Sequence, residues 1–414
     1  IATLRARFLR PQASQDRGMA LDSKSEGIHT LELVEPVTAG QRKGGTGRLI
    51  GVDAARALAL IGMMSVHLLP GTDPDGSAST AYLISSGRAS ALFAVLAGVG
   101  LALANGATQP PVGTARLASA AGIAGRALIL GLLGLFLGDL DSGVAVILVN
   151  YAFLFAFATA FIGMSARSLG VLAVLWALIV PPISFWLRLR MPETSFGIPG
   201  FNELGDPIGF LREILLTGYY PVFPWIAYLL AGMAVGRINL GSHRVAAALL
   251  GGGVSLALAA KEVSGVVLDS FNPIGVVEPV QFFGSTPTDT WWYLVVSTPH
   301  SGTAFDLFHT IGTSLAVLGA CLLLASVGRF VVAWLAGAGG MTLSLYTAHV
   351  LALTAGWGLD DRPTLLIWHA AAAIVTGLLW RTFVGRGPLE TLAANLAGVF
   401  RNAVGSSRPT PTGA

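Results

Sequence analysis

A single cysteine, Cys321 in "LGACLLLAS", leaves the chain without an intrachain disulfide partner. Lysine is nearly as scarce: Lys24, Lys43 and Lys261 stand alone among a positive complement that is otherwise arginine. Charged residues make up only 11% of the 414 positions while 53% are hydrophobic, which excludes both a soluble globular domain and a disordered chain. No HExxH, no Cys/His set with zinc spacing and no carboxylate pair of the glycosidase kind occurs, so no metal is expected. The "GGTG" at 44–47 lacks the Lys-Ser/Thr ending of a phosphate loop, and the basic residues carry no interleaved aromatics of the kind that bind nucleic acid.

What remains is apolar length. Stretches able to cross about 30 Å of hydrocarbon recur at 49–69, 84–104, 119–138, 143–164, 168–187, 218–237, 243–260, 305–327, 330–353 and 364–384. The expected fold is therefore all-α: a polytopic membrane protein of about ten spanning helices. Arg116, Arg167, Arg237, Arg244, Arg329, Arg381, Arg386, Arg401 and Arg408 fall on one side, together with the basic segment 1–47. The acidic "GTDPDGSAST" and "GDLDSG" fall on the other, so the positive-inside rule puts both termini in the cytoplasm. The chain opens on Ile1, with Met19 as an internal candidate start, and no secretory signal precedes the first span. Three regions follow: a basic flexible cytoplasmic tail at 1–47, a transmembrane domain at 48–386, and an amphipathic then disordered cytoplasmic tail at 387–414. Two long external segments, 188–217 and 261–304, read as a cap over a site. No internal repeat and no paired Gly/Pro-broken helices in matching halves are seen. Arginine over lysine, with abundant Ala and Gly, points to a GC-rich and actinobacterial origin.

The first span, "RLIGVDAARALALIGMMSVHLLP", carries Asp53, Arg56 and His67. Arg56 and His67 are eleven residues apart and return to within about 20° of one helical face, in a stripe with Met63. A charge at mid-membrane costs about 2.5–3.5 kcal/mol on the lenient scale, so this stripe faces protein or water and not lipid. Entering at Leu49, the helix reaches Arg56 after about 10 Å and His67 after about 27 Å, so the stripe joins the two membrane faces.

"GVDAARALALIGMMSVH" and "GRASALFAVLAGVGLALA" resemble the start of the heparan-alpha-glucosaminide N-acetyltransferase-like branch of the transmembrane acyltransferase superfamily, related to acyltransferase-3-type membrane proteins. "PHSGTAFDLFHTIGTSLAVLGACLL", "MTLSLYTAHVL" and "GRGPLETL" are similar to later blocks of its bacterial members, so the resemblance spans about 48–393. It departs from them in two places: Ala55-Arg56-Ala57 stands where the family has Arg-Gly, and Ala97-Gly98 where it has Ser-Gly.

The resemblance implies transfer of an acyl group, usually acetyl, from cytosolic acetyl-CoA to a hydroxyl or amine of a sugar-containing acceptor across the membrane. For this chain a cell-envelope glycolipid such as a trehalose lipid is the expected acceptor. It also implies His67 as the catalytic histidine, and the chemistry agrees, because an imidazole supplies a base near neutral pH. Arg56 is expected to meet the CoA anion with Asp53 as its partner, the plain alternative being a structural Asp53–Arg56 pair. Arg126 and Arg244 are the further candidates for CoA, with Arg116, Arg237 and Arg329 near the same opening.

Arg88, His300, His349 and Trp292 are the candidates for the acceptor, against readings as a snorkelling arginine, loop or polar-cavity histidines and an aromatic belt. His309 and His369 read as satisfied by neighbours, and His29 and His243 as solvated. Gly134-x3-Gly138 reads as close helix packing. A multi-pass protein of the plasma (inner) membrane is expected, in contact with lipid and compatible with a homodimer. The competing class is a transporter or flippase that would use Asp53, Arg56 and His67 for proton or cargo coupling.

Overall fold

The computed structural model describes residues 49–140, 142–191, 197–271, 279, 281–357 and 360–405. The chain divides into two units, Ile1–Gly47 and Arg48–Ala414. The expectations for the tail at 1–47 and for 406–414 lie outside the described residues.

Helices dominate the described residues, and the one β contact among them is an isolated bridge between Thr72 and Ala78. In chain order they are α1 Ile50–Leu68, α2 Thr80–Ser85, α3 Arg88–Ala104, α4 Gly113–Gly138, α5 Leu148–Phe161, α6 Ala166–Arg188, α7 Pro207–Arg212, α8 Val222–Gly236, α9 His243–Phe271, α10 Ala304–Val327, α11 Arg329–Gly339, α12 Thr342–Thr354, α13 Arg362–Phe383 and α14 Pro388–Gly405. Among the described residues, seven segments are long and apolar enough to span a membrane: α1, α2 with α3, α4, α6, α9, α10 and α13. The pair Pro207–Thr217 and Val222–Gly236 makes an eighth, bent by 52°, and α5 and α12 are shorter apolar helices.

Two expectations change. The single span at 330–353 is two helices, because Gly337, Gly339 and Gly340 are poor helix formers and the chain turns at Met341. The external segment from 261 begins as helix, since α9 runs on to Phe271 and, at 29 residues, is about 43 Å long.

Capping fixes where several helices begin. The Ser79 hydroxyl accepts from Tyr82 N at the start of α2, and Asp361 accepts from Thr364 N at the start of α13. Ahead of α10, Thr303 Oγ1 accepts from Asp306 N at 3.1 Å while Asp306 Oδ2 accepts from Gly302 N at 3.1 Å, a reciprocal cap.

Two apolar cores share α3. Leu92, Leu96 and Val99 on one of its faces belong to a core with α1, α10, α11 and α12, and Ala91, Ala94 and Leu101 on the other to a core with α5, α6 and α8. Small residues let backbones meet at these contacts. A Cβ on Gly232 of α8 would lie 1.9 Å from the Val95 carbonyl oxygen, and one on Gly339 would lie 1.6 Å from that of Asp53. Gly134 packs against Val149 in the same manner, as its spacing predicts. Large apolar side chains point outward along α4, α6 and α13, among them Phe136, Ile179 and Trp368. Exposed apolar surface on this scale is a lipid-facing perimeter.

Candidate active site

The stripe on α1 lines the seam between the two cores. Arg56 opens into a cavity of about 260 Å³ bounded also by Leu96, Tyr151, Tyr346 and Glu390. His67 opens into a second cavity of about 190 Å³ with Ser85, Ser90, Tyr219, Tyr220 and His300. Met63 lines both. The eleven-residue spacing read from sequence thus places an arginine and a histidine in two chambers with one common wall.

At the Arg56 end, Asp53 is buried, its Oδ1 3.4 Å from Arg56 Nη1 and its Oδ2 3.8 Å from Arg381 Nη1. Arg56 lies across Gly100 of α3, whose missing side chain leaves room for the guanidinium. Arg126, one turn before Leu130 of α4, is near enough to Arg401, Arg386 and Arg56 for their charges to act on it. Like charges gathered at partly buried positions repel one another, and an anion among them relieves the repulsion. Glu390 balances the helix break beside them: it accepts from Leu343 N at 2.7 Å, Ser344 N at 3.1 Å and Ser344 Oγ at 2.6 Å, holding the free amides at the start of α12.

Other arginines are spent on carbonyls. Arg237 is buried and donates to the carbonyls of Asn105 and Ala107, both at 2.8 Å, and of Ile162 at 2.5 Å. Arg116 donates to the Ala160 carbonyl at 2.9 Å. Arg244 stands exposed in the first turn of α9 and lines neither cavity.

At the other end the chain unwinds between Thr217 and Val222, and this break delivers Tyr219 and Tyr220 to the His67 cavity. Asn150 Nδ2 donates to the freed Tyr220 carbonyl at 2.9 Å, as a buried non-helical backbone requires. The His300 ring lies 4.7 Å from that of Tyr219 and 5.8 Å from that of Tyr220, centre to centre. Its backbone holds φ at +61°, uncommon for a side-chain-bearing residue, and is pinned there by Gly284 N donating to its carbonyl at 2.9 Å. Burial in the loop before α10 pushes the His300 imidazole down to about 4, so it is neutral near pH 7.

His67 Nδ1 lies 3.2 Å from His349 Nε2 on α12. Arg88 turns elsewhere: it donates to the Leu83 carbonyl at 2.6 Å and meets His309 Nε2 at 2.9 Å, and it lines neither cavity. His309 also meets the Ala257 carbonyl at 2.9 Å, so it is satisfied by its neighbours. Trp292 stacks on Trp291 at 4.2 Å in a short turn beside a third, polar hollow lined by Arg188, Gln281, Thr286 and Tyr293. Among the described residues no group of three or more His, Cys, Asp or Glu is arranged to hold a metal ion.

Sequence reasoning did not single out Tyr346 or Glu390. Tyr346 shares "LYTAHVL" with His349 and sits three residues before it, one turn away on the same helix. Glu390 had a signal in its place two residues after Pro388, where a helix begins.

Fold and seam together define a helical multi-pass membrane protein with ionisable residues lining two cavities that share Met63. The chain belongs to the heparan-alpha-glucosaminide N-acetyltransferase catalytic family, whose model matches residues 48–255, from α1 into α9. That is a family of membrane acetyltransferases. No curated protein matches the chain.

Proposed function

We propose that the protein moves an acetyl group from cytosolic acetyl-CoA through the α1 seam to a sugar-containing acceptor on the other side of the plasma membrane. The observation that carries this reading is the pair of cavities that share Met63, one holding Arg56 and the other His67. Arg56, with Arg126 and the neighbouring Arg386 and Arg401, is suited to the CoA phosphates, and Asp53 orients Arg56. The thioester then points along α1 towards His67. His67 takes the proton of the acceptor hydroxyl or amine as it attacks the thioester carbonyl, and the sulfur leaves with its electron pair. Tyr219, Tyr220 and neutral His300 offer faces and polar edges for a sugar ring in the His67 cavity. The polar hollow around Gln281 and Tyr293, with Trp292 beside it, is a vestibule of the size a glycolipid headgroup needs. A trehalose lipid is the specific acceptor we propose, with both termini of the chain cytoplasmic.

The broken helices α7–α8 and α11–α12 also occur in transporters, which would use the same ionisable stripe for coupling. The two readings separate in detergent, where no gradient exists. Purified protein given acetyl-CoA and a trehalose glycolipid should release free CoA and add the mass of one acetyl group to the lipid. A folded protein that releases no CoA with trehalose, glucosamine or either glycolipid would sink the acetyltransferase reading and leave transport.

A further inference from the structure

His67, His349 and His369 form an unbroken line of imidazoles. Beyond the contact of His67 Nδ1 with His349 Nε2 at 3.2 Å, His349 Nδ1 lies 2.6 Å from His369 Nδ1 on α13. The first two rings are stacked, 5.3 Å between centres, and the third stands edge-on to the second at 4.8 Å. His349 is buried and spends both nitrogens within the line, whereas His369 is half-buried in the second turn of α13, beside Trp368 of the lipid-facing perimeter. His349 and His369 lie outside the segment that matches the family, in helices that only the fold brings to α1.

Each contact needs one proton between its two nitrogens, so the line has two self-consistent polarities. In one, His67 Nδ1–H donates to His349 Nε2 and His349 Nδ1–H donates to His369 Nδ1, which leaves His67 Nε2 as a bare lone pair. In the other, both bonds are reversed and His67 Nε2 carries a proton. The first polarity is a base and the second an acid.

No carboxylate is bonded to any of the three rings among the described residues. A carboxylate is the usual partner that fixes the tautomer of a catalytic histidine and stabilises its charged form. Without one, an imidazolium at His67 would be a half-buried, unpaired charge.

We propose that His349 and His369 are a proton relay behind His67, setting its tautomer and carrying its charge outward. This rests on His67 acting as the base in the proposed function. As the acceptor O–H or N–H bond breaks and its electron pair forms the new bond to the acetyl carbon, His67 Nε2 takes the proton. His67 Nδ1–H passes to His349 Nε2, His349 Nδ1–H passes to His369 Nδ1, and the Nε2 proton of His369 goes to water at the outer membrane interface, which His67 itself approaches near the end of α1. The C–S bond then breaks with its electron pair on sulfur. His67 Nε2–H protonates the thiolate, and one proton from water returns through His369 to restore the first polarity. His349 and His369 are thus positioning residues; neither touches substrate.

The test uses the full-length protein in detergent, with acetyl-CoA hydrolysis and acetylation of glucosamine as the measured reactions. His349→Phe keeps a ring of similar size and removes both nitrogens. It should lower kcat by about 10- to 100-fold, less than the about 10²–10⁴-fold that a general base itself supplies, with KM for acetyl-CoA unchanged. The dependence of kcat on the deuterium fraction of the solvent should be curved in the parent protein, where several protons move together, and linear in His349→Phe. His369→Gln, altered at a half-buried position, should be slowed by a smaller factor. In His349→Ala, added imidazole should restore turnover and toluene should not. Full kcat in folded His349→Phe and His369→Gln, or unchanged curvature, overturns the relay while leaving His67 in place. Full turnover in His67→Ala overturns the proposed function itself, so the two failures are distinct.

Discussion

Arg56 and His67 stand on one face of one helix and open into separate cavities whose common lining residue is Met63. Under the proposed function, a thioester held at the first passes Met63 to reach the second. That route predicts that the width of the seam at Met63 controls transfer without controlling donor binding.

Met63→Trp puts a large ring on the shared wall. Acetyl transfer should fall at least tenfold while acetyl-CoA affinity stays within about twofold of the parent, because the flexible thioether yields to a passing chain and an indole does not. Calorimetric titration with CoA alongside a turnover assay reads both quantities. Undiminished transfer in a folded variant would show that the acetyl group takes another route.

His67→Ala removes the proposed base and none of the proposed donor contacts. Turnover should drop by about 100-fold or more, the usual loss for a general base, with CoA still bound. Size-exclusion profiles identify misfolded protein, and equal turnover in a monodisperse variant contradicts the assignment.

Arg56→Ala should weaken CoA binding, and Asp53→Asn should do so less, because it loosens Arg56 without removing it. Affinity for CoA should also fall as salt rises, since exposed attractions are screened over about 8–10 Å. Affinity that ignores both the arginine and the salt would remove the anion site from this end.

Much of this was legible before the fold was known. The α1 stripe could be read because helical periodicity alone relates Asp53, Arg56, Met63 and His67. The family blocks pointed to the same helix. His349 and His369 reach α1 only through the packing of α12 and α13, and no local pattern encodes a contact across 282 residues of sequence. The break at Gly340 was hidden because hydropathy reports an apolar run and not its continuity. Arg237 counted towards membrane orientation as a charge, yet its guanidinium closes the carbonyl ends of two helices, a use that composition does not distinguish.

His300 gives the folded state a pH dependence. Its imidazole is held at about 4 in the fold against an ordinary 6.5, so the unfolded chain binds more protons between those values. The stability it contributes is complete above about 6.5, declines as pH falls through that window and is gone below about 4. Melting temperatures between pH 4 and 7 should fall less steeply for His300→Asn, which tolerates the positive φ, than for the parent. Parallel curves would mean the imidazole is not buried in neutral form.

Orientation is read with reporters. A phosphatase joined after Ala414 should be silent and a fluorescent protein at the same point bright. An active phosphatase would reverse the topology and put Arg56 on the outside.

Two of the helices that line the Arg56 cavity are short: α5 has 14 residues and α12 has 13, about 21 and 20 Å of rise against some 30 Å of hydrocarbon. Neither helix alone reaches across such a layer, and the Arg56 cavity lies between them. With water in the two cavities, the membrane voltage would drop over the shorter distance between them, and the local electric field would be steeper there. Under the proposed function, any charge that moves along α1 during turnover would move in that field, so acetyl transfer in an energised membrane would respond to polarity in a way that detergent conceals.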